Sequence, residues 1–220
     1  MKPTDKILIA INEFAKVLPA ISQKHAALAS RIPGWSGAYH RLFFQSVFTS
    51  LPEVKTVLIL GVYLGRDIAT MLEVAPTGLQ VVGVDKFADT PCDDWPESKR
   101  TLSWEQAGFG KAPNAEQALT NINPQPPHAV RLIEADDAAW LPTIKGKFDL
   151  CYLDTSHDKA TCLRQMAQVR PLCHETTVVA GDDYENLEPT WGVRDAVAEA
   201  FTTHRVLAKT IWFADAADYK

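Results

Sequence analysis

Residues 56–71 read TVLILGVYLGRDIATM, and this stretch decides the fold. Thr56–Leu60 is an apolar, β-branched run of the length of a buried strand. Gly61 stops it, and Gly65 follows within the same turn. The segment Asp67–Val74 is helix-like. Strand, glycine turn and helix start, in that order, open a sheet that is wound with helices.

Working outward, the same texture repeats. LQVVGVD (79–85), AVRLIEAD (129–136), FDLCYLD (148–154) and TTVVAGDD (176–183) are short apolar runs, each ending in aspartate. Helix-like segments at Ala115–Ile122 and Lys159–Val169 lie between them. Strands alternating with helices imply a doubly wound, mostly parallel α/β sheet. A helix near Val193–Phe201, then RVLAKT and IWFAD, would close it with an antiparallel pair. Upstream, Ile7, Ile11, Phe14 and Val17–Leu18, and then Leu42, Phe43 and Val47, recur at helical spacing, punctuated by Pro19, Pro33 and Gly34. The chain reads as one domain over 1–220. N-terminal helices occupy 1–50, a Rossmann-like core 54–220, and a lid or substrate loop 87–113. That loop belongs to a connection of about forty residues, longer than a compact domain normally needs, and carries Trp95, Trp104 and Phe109.

The formal net charge of −5 offers no basic field for nucleic acid. No apolar run has the length of a membrane span, and the N-terminus MKPTDKILIAINEF is not patterned as a signal peptide. Cys92, Cys151, Cys162 and Cys173 form no CxxC pair and read as free thiols in a reducing cytoplasm. The expected partner is a small molecule, and the apolar N-terminal helices offer a surface for a homo-oligomer.

Ligands of open parallel sheets bind beyond the carboxyl ends of the strands. Here that rim carries Gly61, Asp85, Asp136, Asp154, Asp182 and Asp183. So many carboxylates at one edge require compensation by a metal, protons or ligand donors. Asp85, at the tip of the second strand, can accept ribose hydroxyls. Asp136, in IEADD with Asp137 beside it, is in reach of an adenine amino group. Tyr63 stands where a dinucleotide fingerprint has its middle glycine, and Asp67 would repel a pyrophosphate at that helix start. The pattern describes an adenosine pocket without a phosphate site. Asp154 should lie about one strand spacing, ~5 Å, from Asp182–Asp183. Three carboxylates there suit Mg²⁺, and His157 could serve beside them as a general base. Each motif alone also has a bland reading, as strand-end caps, turn formers and a surface histidine.

Residues 54–201, through LGVYLG, YLDTSHD, AGDDY and GVRDAV, resemble the class I S-adenosylmethionine-dependent methyltransferases. Within these they resemble the metal-dependent macrocin and mycinamicin sugar O-methyltransferases. The resemblance implies a seven-stranded sheet and S-adenosyl-L-methionine as cofactor, lined by Gly61, Tyr63, Gly65, Asp85, Asp136 and Asp137. It implies a divalent metal on Asp154, Asp182 and Asp183, with His157 as base and Asp154 also catalytic. The implied reaction is methyl transfer to a hydroxyl of a sugar, phenol or natural-product intermediate. The family usually has an acid two residues before the first motif glycine, to meet the cofactor amine; here that residue is Ile59. A nucleotide-cofactor oxidoreductase, a non-catalytic S-adenosylmethionine-binding module and a metal-dependent hydrolase are the alternatives.

Overall fold

A computed structural model describes residues 1–220 except 77, 89–101, 109 and 186–190. Cys92, Trp95 and Phe109, with the centre of the expected lid, lie outside the described residues. Seven strands form one sheet: β1 (Thr56–Leu60), β2 (Gln80–Asp85), β3 (Ala129–Glu134), β4 (Phe148–Leu153), β5 (Cys173–Gly181), β6 (Arg205–Leu207) and β7 (Ile211–Asp215). Their order is β3-β2-β1-β4-β5-β7-β6. The first five strands run parallel, and β7 lies antiparallel between β5 and β6. This is the expected doubly wound sheet with its closing antiparallel pair. The chain order reverses between β1 and β4, and such a switch point opens a crevice at the strand ends.

Eight helices are described: α1 (Pro3–Phe14), α2 (Leu18–Ala29), α3 (Ala38–Ser50), α4 (Arg66–Val74), α5 (Ala115–Ile122), α6 (Asp137–Trp140), α7 (Lys159–Val169) and α8 (Val193–Ala200). Pro19, expected as punctuation, sits in the first turn of α2, where its missing N–H costs nothing. Asn114 and Asp158 cap α5 and α7 by accepting from Gln117 N and Thr161 N.

Alternation along β1 divides the core. Val57 and Ile59 pack with Phe43, Phe44 and Tyr152 on one face. Leu58 and Leu60 pack with Cys162, Met166, Val197 and Trp212 on the other. Tight aromatic contacts, with Phe43 to Phe213 at 5.3 Å and Phe44 to Tyr152 at 5.1 Å, hold α3 on the sheet. The start of α1 is fixed to the sheet by polar bonds: Thr4 donates its amide and hydroxyl to Asp215, at 3.0 and 2.6 Å. Asp215 thus serves as a borrowed cap for α1. Among the described residues no helix is long and apolar enough to cross a membrane.

Candidate functional site

Four strand ends, those of β2, β1, β4 and β5, are tied together around the switch point. Gly61 N donates to Val84 O at 2.9 Å, Asp154 N to Leu60 O at 2.8 Å, and Asp182 N to Leu153 O at 3.3 Å. The approach of β1 to β4 is so close that a Cβ on Gly61 would stand 1.7 Å from the Asp154 carbonyl oxygen. Gly61 also has φ +87°, which L side chains rarely adopt. The glycine therefore lets the glycine turn and the acidic loop share one edge.

Asp85 holds the turn from the other side. Its Oδ2 accepts from Val62 N and Tyr63 N, both at 2.8 Å, and its Oδ1 accepts from Phe87 N at 2.8 Å. A carboxylate has about four acceptor sites, so three amides leave Asp85 about one for a ligand hydroxyl. Tyr63, held at φ +49°, points its ring at Trp35 (4.8 Å between centroids) and Trp104 (5.2 Å). Trp104, from the expected lid, donates its indole N–H to Ala88 O at 2.8 Å. Asp136 caps α6 through Ala138 N and pairs with Lys86 at 2.9 Å, and the Lys86 bond holds its carboxyl below the usual range. Asp137 turns toward α7 and accepts from Arg164 at 3.1 Å and Gln165 at 3.0 Å. Gln165 also donates to Thr155 Oγ1, which links the loops after β3 and β4.

The acidic centre is split by chain alternation. One donor atom each from Asp154, His157 and Asp183 lies within 4.8 Å of the others. His157 Nε2 is 2.9 Å from Asp183 Oδ2, and its ring stacks on Trp191 with centroids 4.0 Å apart and planes at 15°. Gly192 N donates to His157 O at 2.7 Å, so the start of α8 fixes both stacking partners. Asp182 stands apart from this triad. Its Oδ2 is 2.7 Å from His40 Nε2, and its Oδ1 accepts from the Thr210 hydroxyl.

Charge explains the difference between the half-buried carboxylates Asp154 and Asp182. Burial, then the charges of Asp182, Asp183 and Asp67, push Asp154 well above the usual carboxylate range, and His157 pulls the other way. Burial also acts to raise Asp182, but His40 and Thr210 outweigh it and leave that carboxyl low. For His40, burial lowers the pKa, yet the hydrogen bond and charge of Asp182 prevail and raise it to about 9. The Gly37 amide opposes this, since it donates to Nδ1 at 3.0 Å and so needs a lone pair there. We assign the neutral ring with its proton on Nε2, because that tautomer alone satisfies Gly37 and Asp182 together.

Asp67, in the first turn of α4, completes the inner wall. Its Oδ1 is buried, and the Ser36 hydroxyl beside it favours the charged form. Asp67, His40, Thr210 and Trp191 were not among the candidate site residues of the sequence. Only Asp67 carried a signal, as an acid beside the glycine turn.

Residues 58–184 match a family described as a methyltransferase domain. No curated protein matches the chain. Among solved structures, cofactor-bound Rv0187 from MTB is 15% identical, covering 93% of this chain and 89% of that one, with a TM-score of 0.55. The S-adenosylhomocysteine-bound methyltransferase PaMTH1 of Podospora anserina is 12% identical, covering 88% and 86%, with a TM-score of 0.53. At such identities the two structures show a shared fold. The family match spans more than half of the chain and reaches from β1, through the glycine turn, to the acidic loop after β5. The chain belongs to the methyltransferase domain family.

Proposed function

We propose that this protein is an S-adenosylmethionine-dependent O-methyltransferase that uses a divalent cation, Mg²⁺ by preference, to methylate a hydroxyl of a small molecule. The observation that carries this reading is the Asp154, Asp183 and His157 cluster, placed where β4 and β5 end beside the glycine turn. The residues fit both groups. Gly61 and Gly65 open the turn, and Asp85 keeps an acceptor site at the tip of β2. Asp154 is a half-buried carboxylate among like charges, which a cation would relieve. The two carboxylates of the cluster favour a hard ion, with His157 beside it rather than among its ligands. Asp182 would join Asp154 and Asp183 only through lone pairs that His40 and Thr210 leave.

Bound S-adenosylmethionine supplies an electrophilic methyl, and a bound cation supplies Lewis acidity that lowers the pKa of the acceptor hydroxyl. The chain's own residues do the rest. The Gly61–Gly65 turn and Asp85 hold the adenosyl end in register with the strand tips. Asp154 and Asp183 set the direction from which the acceptor oxygen approaches. His157 takes the acceptor proton at Nε2 as its Nδ1–H tautomer, which requires it first to give up the Nε2 proton that Asp183 now accepts; Trp191 keeps the ring plane fixed as it does so. The acceptor is a sugar, phenol or natural-product intermediate presenting neighbouring oxygens.

The test is methyl transfer from labelled S-adenosylmethionine to a panel of vicinal diols and catechols. EDTA should abolish transfer and Mg²⁺ restore it. His157→Ala should still bind S-adenosylhomocysteine but lose on the order of 10²–10⁴ in turnover. Turnover that is indifferent to EDTA would remove the cation from this reading.

A further inference from the structure

A doubly wound sheet is covered by helices on both faces. On one face of β2 and β3 the cover is α5, whose Ala118 and Ile122 join the core of Val57 and Ile59. On the other face it must come from the crossover between β3 and β4. That crossover is only α6, four residues long, and a single 3-10 turn over Leu141–Thr143. The cover falls short. Val82 belongs to a strand flanked on both sides, by β1 and β3, yet it is only half-buried.

The gap is a cleft of about 340 Å³. That is the size of a small-molecule site, and a helix, about 10 Å across, would not enter it. Val82, Trp140 and Ile144 give it apolar and aromatic surface, and each also packs on the core, so this surface is firmly held. Arg131, paired with Val82 across the strands, and Lys145 give it two exposed cations. Among the described residues no carboxylate lines the cleft, and neither cation makes a hydrogen bond or ion pair. The acids nearest in the chain are engaged elsewhere: Asp136 pairs with Lys86 at 2.9 Å and Asp137 with Arg164 at 3.1 Å. Two unpaired cations beside an indole, on a chain of net charge −5, select an anion with a flat apolar body.

We propose that this cleft binds a small aromatic carboxylate or phosphate, its ring against Trp140 and its anionic group between Arg131 and Lys145. The site is separate from the acidic rim. Lys145 lies just before β4 begins, at the amino end of that strand, whereas Asp154 follows its carboxyl end. The anion therefore binds together with a ligand at the glycine turn, and does not compete with it.

The experiment is ligand-observed NMR titration of 2-naphthoate, 2-naphthyl phosphate and the neutral 2-naphthamide. It uses the full chain as wild type, Arg131→Gln, Lys145→Gln and the double variant. Both positions are exposed, so the variants should melt within about 2 °C of wild type. Wild type should bind one or both anions about 10-fold or more tightly than the amide, and the tighter anion identifies the class. Each single variant should lower that preference, and the double variant should bring it to within about 3-fold. Saturating S-adenosylhomocysteine should leave anion binding unchanged. Wild type that does not prefer the anions overturns the proposal, and so does a preference that survives in the double variant. Displacement of the anion by S-adenosylhomocysteine would place it at the glycine turn and also overturn the proposal. Wild-type copies that associate in light scattering, and separate in the double variant, would make the cleft an interface between copies instead.

Discussion

Asp154→Asn should have opposite effects on stability with and without a cation. In the cation-free protein Asp154 is a half-buried carboxylate facing Asp182, Asp183 and Asp67. Its unfavourable energy at pH 7 is bounded, because the group can take up a proton. Protonating an ordinary carboxyl at that pH costs about 4 kcal/mol, which caps the gain from neutralising it. His157 and penetrating water offset part of this, so about 1–3 kcal/mol of stabilisation is expected in EDTA. For a chain of this length that is roughly 3–10 °C in melting temperature. Mg²⁺ should then reverse the ranking. At about 100 times its dissociation constant it adds about 2.7 kcal/mol to wild type, and much less to a variant lacking one ligand. The assay is thermal unfolding of both proteins in EDTA and in a Mg²⁺ titration. An asparagine variant that melts lower in EDTA would show that Asp154 is already satisfied by the protein. Equal Mg²⁺ shifts in both proteins would show that the ion does not use Asp154.

Other outcomes follow from contacts around the site. His40→Ala takes one hydrogen bond from the part-buried Asp182, which keeps those from Thr210 and the Asp183 amide, and should cost about 1–3 kcal/mol in urea unfolding; a cycle with Asp182→Asn should show strong coupling, and additivity would refute the pairing. Gly61→Ala and Gly78→Ala share a positive φ, but only Gly61 faces the Asp154 carbonyl. The Gly78 change should cost about 1–2 kcal/mol and the Gly61 change well over twice that, or prevent folding, as measured by soluble yield and melting temperature. Asp215→Ala removes the borrowed cap of α1 and should cost about 1–2 kcal/mol, with faster amide exchange confined to α1; uniform exchange would argue against a local role.

The sheet was legible because strands and their glycine or aspartate stops are local signals. TVLILG needs no partner to read as a strand, and the register that brings Asp154 beside Gly61 follows from parallel pairing. Asp182 and Asp183 show where such reading stops. Adjacent residues on an extended chain point to opposite sides, and here a left-handed Asp183 (φ +57°) accompanies the division. One carboxylate meets His40 and the other His157, although the sequence suggests a single pair of ligands. His40 itself was illegible, since its role depends on how α3 crosses the sheet. Asp85 reads as a ribose acceptor, but its bonds to Val62, Tyr63 and Phe87 exist only once the turn has closed. Trp191 takes its place over His157 through the Gly192 amide, a contact between loops that no periodicity encodes.

The bond between His40 and Asp182 joins residues 142 apart in the chain, and that between Thr4 and Asp215 joins residues 211 apart. Contacts of such separation form late, because the loop entropy is lost before the contact rewards it. A chain leaving the ribosome exposes its first three helices long before their partners on β5 and β7 have been made. Until then the apolar face of α3 is covered only in part, since Phe43 still lacks Phe213 of β7. The acidic loop is therefore completed only once Thr210 and β7 have been made, so a product ending before that strand would carry the glycine turn but no anchored α1.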